Sequence, residues 1–284
     1  MIAVIGGTGR LGRLVTERLV DQGEQVRVVA RSAPDRRVPG AHFAAADLRD
    51  PSTLPPALDG ADVVVAAAHG MDPGRGESPA EIDRDGNVAL IDVASGRGTD
   101  VVLLSVVGAA ADHPLELFRM KWAAEQHLRA SSASWTIVRA SAFAEMWLEL
   151  LGDSARGGKG PQVFGAGDNP INFVSVDDVA VAAARAATDR SLRGRTIEVG
   201  GEDLTLNELA RLVRPDLPPR HVPRAALRVL GQLARPVRPS FARLARAAAT
   251  MDSTDLRFEA STGREAYPWL PGTSVRELAQ RGGS

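Results

Sequence analysis

The sequence predicts an α/β protein with a doubly wound parallel sheet and a small carboxy-terminal lobe. Short apolar runs rich in β-branched residues recur between Ile2 and Val199, and they alternate with stretches whose apolar residues are spaced as in helices. The runs are continuous and do not alternate with polar residues, as expected of parallel strands covered on both faces. Glycines separate the first run from the first helical stretch. These observations are typical of a layered α/β fold.

The predicted elements follow one another in a regular order. Strands are predicted at residues 2–5, 25–30, 42–46, 61–68, 100–105, 136–139 and 196–199. A helix runs from Leu11 towards Gly23, and further helices are predicted at 51–58, 80–95, 115–130 and 175–187. Glycine and proline mark residues 71–79 as a loop.

Residues 1–140 are expected to form the core, completed by about 173–200. Residues 141–172 and 201–284 are expected to form the lobe, within one structural unit. The lobe begins with a glycine-rich stretch that holds a short strand at 162–164. Thr205 and Glu208 predict a capping box at the start of a later helix.

The lobe also contains an arginine-rich segment. Between residues 211 and 246 the only acid is Asp216, against nine arginines: 211, 214, 220, 224, 228, 235, 238, 243 and 246. Such an excess is able to contact a membrane surface or an acidic partner. The alternative is two amphipathic helices, around 224–233 and 240–250, whose apolar faces pack and whose arginines are solvated. We favour the second interpretation and expect no membrane partner.

Composition excludes several classes of function. The net charge of −1 gives no electrostatic case for nucleic acid. The absence of cysteine excludes disulfides and cysteine-ligated metal centres, and no metal site is predicted. The first strand begins at residue 2, which leaves no room for a signal peptide, and no apolar run reaches membrane-spanning length. We therefore expect a cytoplasmic protein, either a monomer or a homodimer.

The turn after the first strand carries the strongest functional signal. A strand, a glycine turn and a helix in this order allow a pyrophosphate to approach the backbone closely and to meet the positive end of the helix dipole. The turn is therefore predicted to bind a dinucleotide through Gly6, Gly7, Thr8, Gly9, Arg10, Leu11 and Gly12.

The end of the second strand bears on which dinucleotide is bound. Sites that prefer NAD usually carry an acid there, whereas this chain has Arg31 and Ser32. An arginine at this point is able to pair with a 2′-phosphate, and Arg10 is placed to assist it. We therefore expect NADP(H) to be preferred over NAD(H). The alternative is that both arginines are ordinary solvated residues.

Several motifs together resemble the NmrA-like NAD(P)H-binding branch of the atypical short-chain dehydrogenases/reductases, over about residues 1 to 212. They are the glycine turn, Asp47-Leu48, the helix with Lys121, and the stretches 135–139, 174–179 and 194–199. The resemblance implies a Rossmann core with a carboxy-terminal substrate lobe. It implies that Asp47 and Leu48 lie by the adenine and that Lys121 holds the nicotinamide ribose. It also implies that the cofactor passes the backbone of Ala66, Ala67, Ala68 and His69.

The sequence departs from the family's catalytic pattern. The family uses Tyr-x-x-x-Lys, in which the lysine lowers the pKa of the tyrosine so that it exchanges a proton with the substrate. Here Leu117 stands four residues before Lys121, and the single tyrosine is Tyr267. Ser105, at the end of the fifth strand, is the candidate for the serine that polarises the substrate carbonyl. The family's serine usually stands just past that strand, so in this chain it is either missing or displaced.

Other candidate residues complete the predicted site. His113, in the loop before the Lys121 helix, is a candidate proton donor, and the alternative is that Asp112 and His113 cap that helix. Asn87 either holds a water or the substrate, or is simply exposed. The scarce aromatics are expected to line an apolar substrate pocket or to be ordinary core residues. These aromatics are Phe143, Trp147, Phe164 and Phe173.

The predicted function is an NADPH-dependent oxidoreductase that transfers hydride to a small apolar acceptor such as a quinone, enone or ketone, without the usual tyrosine acid. The alternative is a regulatory protein that binds NADP(H) without turnover and reports its redox state to a partner. The missing tyrosine favours the regulator, whereas the defined lobe favours the enzyme. An epimerase or other lyase that uses the cofactor transiently is a weaker third interpretation.

Overall fold

The computed structural model describes residues 1–71, 76–234, 237 and 239–282. Its strands are β1 (Ile2–Ile5), β2 (Val26–Ala30), β3 (Ala41–Ala45), β4 (Val63–Ala66), β5 (Asp100–Val106), β6 (Trp135–Ala140), β7 (Ala142–Phe143), β8 (Gln162–Phe164), β9 (Pro170–Val174), β10 (Arg195–Val199), β11 (Glu202–Thr205) and β12 (Arg220–Val222).

Its α-helices are α1 (Arg10–Asp21), α2 (Leu54–Ala57), α3 (Asn87–Ser95), α4 (Glu116–Ala130), α5 (Ala144–Ser154), α6 (Val176–Thr188), α7 (Leu206–Val213), α8 (Arg224–Leu233), α9 (Pro239–Met251), α10 (Ala260–Ala266) and α11 (Val275–Gly282). Ala80–Gly86 is π-helical, and short 3₁₀ turns occur at Pro51–Thr53 and Arg190–Leu192.

The central sheet has seven strands in the order β10-β6-β5-β4-β1-β2-β3, and every neighbouring pair is parallel. This order confirms the predicted doubly wound, Rossmann-type α/β fold. The chain reverses its direction of winding between β1 and β4, because the strands that follow β1 lie on one side of it and β4 lies on the other. Open α/β sheets bind ligands at such a point, beyond the carboxyl ends of the strands.

The burial of the central strands explains why continuous apolar runs predicted them. All four residues of β1 and all four of β4 are buried, as the continuous apolar runs require. The fourth strand is nevertheless shorter than the predicted 61–68. The run from Ala67 to His69 lies beyond the end of β4 and is more exposed than the strand, so apolar character alone overestimated the strand.

The predicted helix at 80–95 consists of two different parts. Its first seven residues form the π-helix, and α3 begins at Asn87. The Nδ2 of Asn87 donates hydrogen bonds to the carbonyl oxygens of Ile82, at 3.3 Å, and Asp83, at 3.0 Å. Asn87 is therefore buried and bonded to the preceding turn, and the interpretation of an exposed mid-helix asparagine is wrong. Single π-helical turns inside α-helices occur frequently at functional sites.

The described residues divide into two compact units. The first comprises Met1–Met71, Glu77–Ala140 and Asp177–Val199, and the second comprises Ser141–Val176 and the described residues from Gly200 onward. In the second unit, β11, β9 and β7 form a three-stranded sheet, and β12 pairs with β8. The apolar core of this unit includes Trp147, Phe173 and Leu209. The predicted capping box is confirmed, since Thr205 and Glu208 bond each other's backbone at the start of α7.

Some sequence predictions fall outside the described residues. They are residues 72–75 of the loop predicted at 71–79, and Arg235 and Arg238 of the arginine-rich segment. Among the helices that are described, none combines the length and the apolar character needed to cross a membrane.

Candidate functional site

The glycine turn at the end of β1 brings two loops into close contact. Gly6 has a φ of +74°, which favours glycine, and a Cβ placed on it would lie 2.8 Å from the amide nitrogen of Ala68. The amide of Ala67 also donates to the carbonyl of Ile5, at 3.0 Å. The predicted cofactor residues 6–12 and 66–69 therefore meet at the carboxyl ends of β1 and β4.

Gly12 allows α1 to begin directly against this turn. A Cβ on Gly12 would lie 2.3 Å from the carbonyl oxygen of Gly6, a distance that the backbone cannot accommodate. Gly9 stands at the N-cap and has no side chain to offer to the first-turn amides, which by helix geometry have no intrahelical acceptor. A Cβ on Gly9 would have one contact within 4 Å, at 3.3 Å. The turn thus fits a pyrophosphate, which would accept hydrogen bonds from these amides.

Charged residues surround the end of β2. The guanidinium of Arg31 contacts the carboxylate of Glu77, which is 6% exposed. The side chain of Arg49 hydrogen-bonds Asp47 and so lowers the pKa of that carboxyl below its ordinary value. Ser32 is exposed next to Arg31. The predicted 2′-phosphate residue therefore already has a carboxylate partner in this structure.

Asp47 and Leu48 lie beside the π-helix. The Cβ of Leu48 is 2.8 Å from where a Cβ on Gly86 would be, so the lack of a side chain at Gly86 permits this contact. The backbone amide of Asp47 is held by the hydroxyl of Thr53 at 3.0 Å. The loop after β3 is thus fixed against the π-helix, which itself carries a buried acid.

That acid is Asp83, and it pairs with Lys121. The Nζ of Lys121 lies 2.9 Å from Oδ1 of Asp83, and both side chains are almost completely buried. The same Nζ donates to the carbonyl of Leu104 at 2.8 Å, and Oδ2 of Asp83 accepts from the amide of Gly70 at 2.9 Å. Oδ1 of Asp83 accepts no hydrogen bond among the described residues. Lys121 is therefore held by charge and retains N–H groups for a further acceptor such as a ribose hydroxyl.

Ser105 belongs to a different, buried polar network. Its hydroxyl donates to Oε1 of Glu125 at 2.5 Å, and Glu125 is fully buried. Arg139 binds Glu125 through two nitrogens, at 2.7 and 2.9 Å, and reaches Glu198 at 3.2 Å. These carboxylates raise the pKa of Arg139. The hydroxyl of Ser105 is therefore engaged by a carboxylate on α4.

Comparison with known proteins identifies the family. A family profile described as NAD(P)H-binding matches residues 6–190, which include the glycine turn, Asp83 and Lys121. The chain therefore belongs to this NAD(P)H-binding family. The membership confirms the resemblance to the NmrA-like atypical short-chain dehydrogenases/reductases.

Two curated proteins are similar to this chain in sequence. The chloroplastic protein High Chlorophyll Fluorescence Phenotype 244 of Arabidopsis thaliana is 30% identical over 82% of this chain and 61% of its own length. An NAD(P)H azoreductase of Xenophilus azovorans is 29% identical over 71% of this chain and 68% of its own length. The chain thus covers less than two thirds of the first of these relatives.

Solved structures with the same fold include a reductase. An NADPH-dependent quinone oxidoreductase from Escherichia coli, solved with NADPH, has a TM-score of 0.77 and 21% identity, and the match covers 100% of both chains. At this identity the likeness concerns the fold.

His113 is fixed by its neighbours in a way that limits its chemistry. Its Nδ1 accepts a hydrogen bond from the amide of Leu115 at 3.1 Å, and its ring stacks on Phe118 with centroids 4.1 Å apart. Burial lowers its pKa below the ordinary value of 6.5. The hydrogen bond with Leu115 comes from the residue before α4 and not from a first-turn amide, so it does not show the predicted capping of the helix by Asp112 and His113. A neutral His113 would carry its proton on Nε2.

The four predicted substrate aromatics lie in the second unit, and their environments differ. Phe173 is fully buried, and its ring contacts that of Trp147 edge-on at 6.3 Å. This placement favours the core interpretation for both residues. Phe143 and Phe164 are partly exposed and remain predictions as substrate contacts. Tyr267 also lies in this unit, close to Trp269 at 5.7 Å.

Sequence reasoning missed three buried acids: Glu77, Asp83 and Glu125. Each lies in a stretch that reads as loop or helix surface, and each pairs with a distant residue. Arg139 and Lys121 were among the family motifs, and a buried cation requires a counter-charge. The need for a counter-charge therefore predicts a buried acid near each cation, but it does not identify which carboxylate supplies the charge.

Proposed function

We propose that the protein is an NAD(P)H-dependent oxidoreductase that transfers hydride to a small apolar acceptor. The observation that carries this proposal is the close-packed turn of Gly6 and Gly12 together with buried Lys121, within a match to the NAD(P)H-binding family. The dinucleotide supplies the hydride when it is bound. The chain supplies the binding and orientation of its reactive end.

Different residues would hold the two ends of the cofactor. The first-turn amides of α1 would bind the pyrophosphate. Lys121 donates one hydrogen bond to the carbonyl of Leu104, and its remaining N–H groups would bind the nicotinamide ribose. Arg31 would bind the 2′-phosphate of NADPH after exchanging its contact with Glu77. We therefore propose a preference for NADP(H).

The proposed class of acceptor follows from the missing proton donors of the site. Leu117 offers no proton, and the hydroxyl of Ser105 is bonded to Glu125. An acceptor whose reduced form takes its proton from water suits such a site better than a simple ketone. Quinones and azo compounds are of this kind, and they are the substrates named for the Escherichia coli and Xenophilus azovorans relatives. We propose a quinone as the first class to test.

The test is NADPH oxidation across a panel of quinones, azo dyes, enones and ketones. Turnover with quinones or azo dyes and not with ketones is the expected result. A Leu117→Tyr variant restores the family's proton donor, and it should raise ketone reduction only if the substrate oxygen lies where the family pattern implies. Firm NADPH binding without turnover on any acceptor would contradict the proposal that the protein is an oxidoreductase.

One observation favours a second candidate, a regulator that binds NADP(H) without turnover. The bond from Ser105 to Glu125 removes the group that would polarise a substrate carbonyl, and the usual tyrosine is absent. A regulator would bind NADP⁺ and NADPH with different affinities and would transfer hydride to no acceptor. Calorimetric titration with each form, combined with the acceptor panel, separates this candidate from the enzyme, because turnover requires an acceptor and sensing does not.

A further inference from the structure

The α8–α9 hairpin of the second unit exposes an unusual amount of apolar surface. Large apolar side chains with 44–79% exposure lie on or between the two helices: Val229, Leu230, Leu233, Val237 and Phe241. The only other large apolar residues with comparable exposure in the described chain are Met146 and Leu150 on α5. A contiguous exposed apolar patch is a mark of an interaction surface.

The packing between the two helices explains why this surface is turned outward. The contact face uses small residues, with Gly231 of α8 lying against Ala242 and Ala245 of α9. A Cβ on Gly231 would lie 3.4 Å from the carbonyl oxygen of Ala242 and 3.6 Å from the Cβ of Ala245. The larger apolar residues are therefore left on the outside. The two helices predicted from the sequence are present and pack through these small apolar residues, as expected, while the larger apolar residues stay exposed.

The hairpin is anchored at its base. Asp252, which is 1% exposed, follows α9 and pairs at 2.9 Å with Arg224 at the start of α8. The same carboxylate accepts hydrogen bonds from the amides of Ala166, at 3.2 Å, and Gly167, at 2.9 Å. Among the described elements, α8 and α9 pack extensively only on each other. The exposed apolar residues thus lie towards the end opposite to a fixed base.

The charge of the hairpin restricts what covers this surface. From Arg224 to Met251 the sequence contains six arginines and no aspartate or glutamate. Of these arginines, Arg224 is paired with Asp252, and Arg235 and Arg238 lie outside the described residues. Arg228 and Arg246 are exposed on the helices. A second copy of the chain bound through the same patch would bring arginines against arginines, because a two-fold interface joins identical surfaces. Charge complementarity therefore points to an anionic partner.

We propose that the α8–α9 hairpin binds the surface of an anionic lipid bilayer and inserts Leu233, Val237 and Phe241 at the level of the headgroups. Arginine together with exposed leucine, valine and phenylalanine is the composition of interfacial helices. Neither helix crosses the bilayer. Binding of this kind does not depend on the proposed redox activity.

The experiment is vesicle flotation of the full chain. Phosphatidylcholine vesicles with about one third phosphatidylglycerol are compared with pure phosphatidylcholine, at low and at high salt. The wild type should float with the anionic vesicles and detach as salt rises. Arg228→Gln with Arg246→Gln should weaken binding by roughly fivefold for each arginine removed. Leu233→Ser with Phe241→Ser should weaken it by roughly tenfold or more at low salt.

A matched control separates the hairpin from apolar exposure in general. Leu150→Ser removes an exposed leucine of similar accessibility from α5, and it should leave vesicle binding unchanged. Thermal melting shows whether each variant is folded, and a serine pair that melts like the wild type keeps the comparison valid. If the serine pair is unfolded, Leu233→Gln alone replaces it.

Three results would overturn the proposal. The first is a wild type that does not bind anionic vesicles at low salt. The second is vesicle binding that survives the serine pair. The third is a wild-type dimer, seen by light scattering, that the serine pair converts to a monomer, because a second copy would then cover the apolar residues.

Discussion

The carboxylate of Glu77 contacts the guanidinium of Arg31, the residue expected to hold the 2′-phosphate of NADPH. Glu77 lies 46 residues further along the chain and is nearly buried. A 2′-phosphate and this carboxylate would compete for the same cation, and they would repel each other when close. The contact with Glu77 therefore reduces what Arg31 contributes to the binding affinity for NADPH.

The first prediction follows from this competition. Glu77→Gln removes the negative charge while keeping a side chain of the same shape, so NADPH should bind about tenfold more tightly, equivalent to about 1.4 kcal/mol. NADH lacks the 2′-phosphate and should bind with nearly unchanged affinity. Calorimetric titration measures both. Glu81→Gln is the control, because Glu81 is also an acid of this region but bonds Ser78. An equal gain for both cofactors would count against the competition.

The second prediction concerns Arg31 itself. Arg31→Asp should weaken NADPH binding by about 1.5–3 kcal/mol, the usual strength of a hydrogen bond to a charged group, and so narrow or reverse the preference over NADH. Titration of the wild type and of the variant with both cofactors is the measurement. Equal wild-type affinities for NADPH and NADH would show that Arg31 is a solvated residue that does not select the cofactor.

The third prediction uses the packing of the glycine turn. Gly12→Ala places a Cβ 2.3 Å from the carbonyl of Gly6, so the turn must open and dinucleotide binding should be lost. Gly96→Ala is the matched control, because its Cβ would lie 3.5 Å from the nearest atom, the carbonyl oxygen of Asp92. Both variants are compared by melting and by NADPH titration. Cofactor affinity that is unchanged in a folded Gly12→Ala protein would move the pyrophosphate site elsewhere.

The central fold and the glycine turn could be predicted because their signals are local. β1, the turn and α1 occupy adjacent residues, and parallel strands buried on both faces have continuous apolar sequences. The length of β4 could not be predicted in the same way. Its apolar run continues beyond Ala66, the last residue of the strand.

The polar pairs of the site could not be predicted, because each depends on distant residues that the fold brings together. Lys121 was expected to hold a ribose, but its partner Asp83 lies on a π-helix that follows from no periodicity of the sequence. Helical periodicity likewise finds α8 and α9 without telling which face packs. Small Gly231 decides that, and it leaves Leu233 outside.

The fourth prediction concerns the buried pair of Lys121 and Asp83. Asp83→Asn or Lys121→Met alone leaves one buried charge uncompensated and should cost about 3–5 kcal/mol of unfolding free energy. The double variant should be less destabilised than the sum of the two. Urea unfolding of all four proteins measures the coupling. The exposed pair Arg156 and Asp153 is the control, and its coupling should be below about 1 kcal/mol. Additive losses at Asp83 and Lys121 would contradict an ion pair.

The fifth prediction concerns the proton donor. Burial lowers the pKa of His113 below 6.5, so the imidazolium is the minor form at neutral pH. If the imidazolium donates the proton, the rate of reduction should rise as pH falls and level off below that lowered pKa. His113→Ala should then remove this limb and reduce the rate by about two to four orders of magnitude, while NADPH affinity is unchanged. The pH–rate profile under saturating cofactor is the measurement.

The control for this profile is His127→Ala, since His127 lies on α4 and pairs with Asp92 at 2.6 Å. The control should keep the pH dependence of the wild type. Stability gives a second check of the same pKa. A histidine whose pKa is lowered by folding binds fewer protons in the native state, so its contribution to stability is lost as pH falls through the unfolded pKa. The His113→Ala variant should therefore be less sensitive to acid than the wild type. A rate that does not respond to His113→Ala would assign the proton to water, as expected for a quinone acceptor.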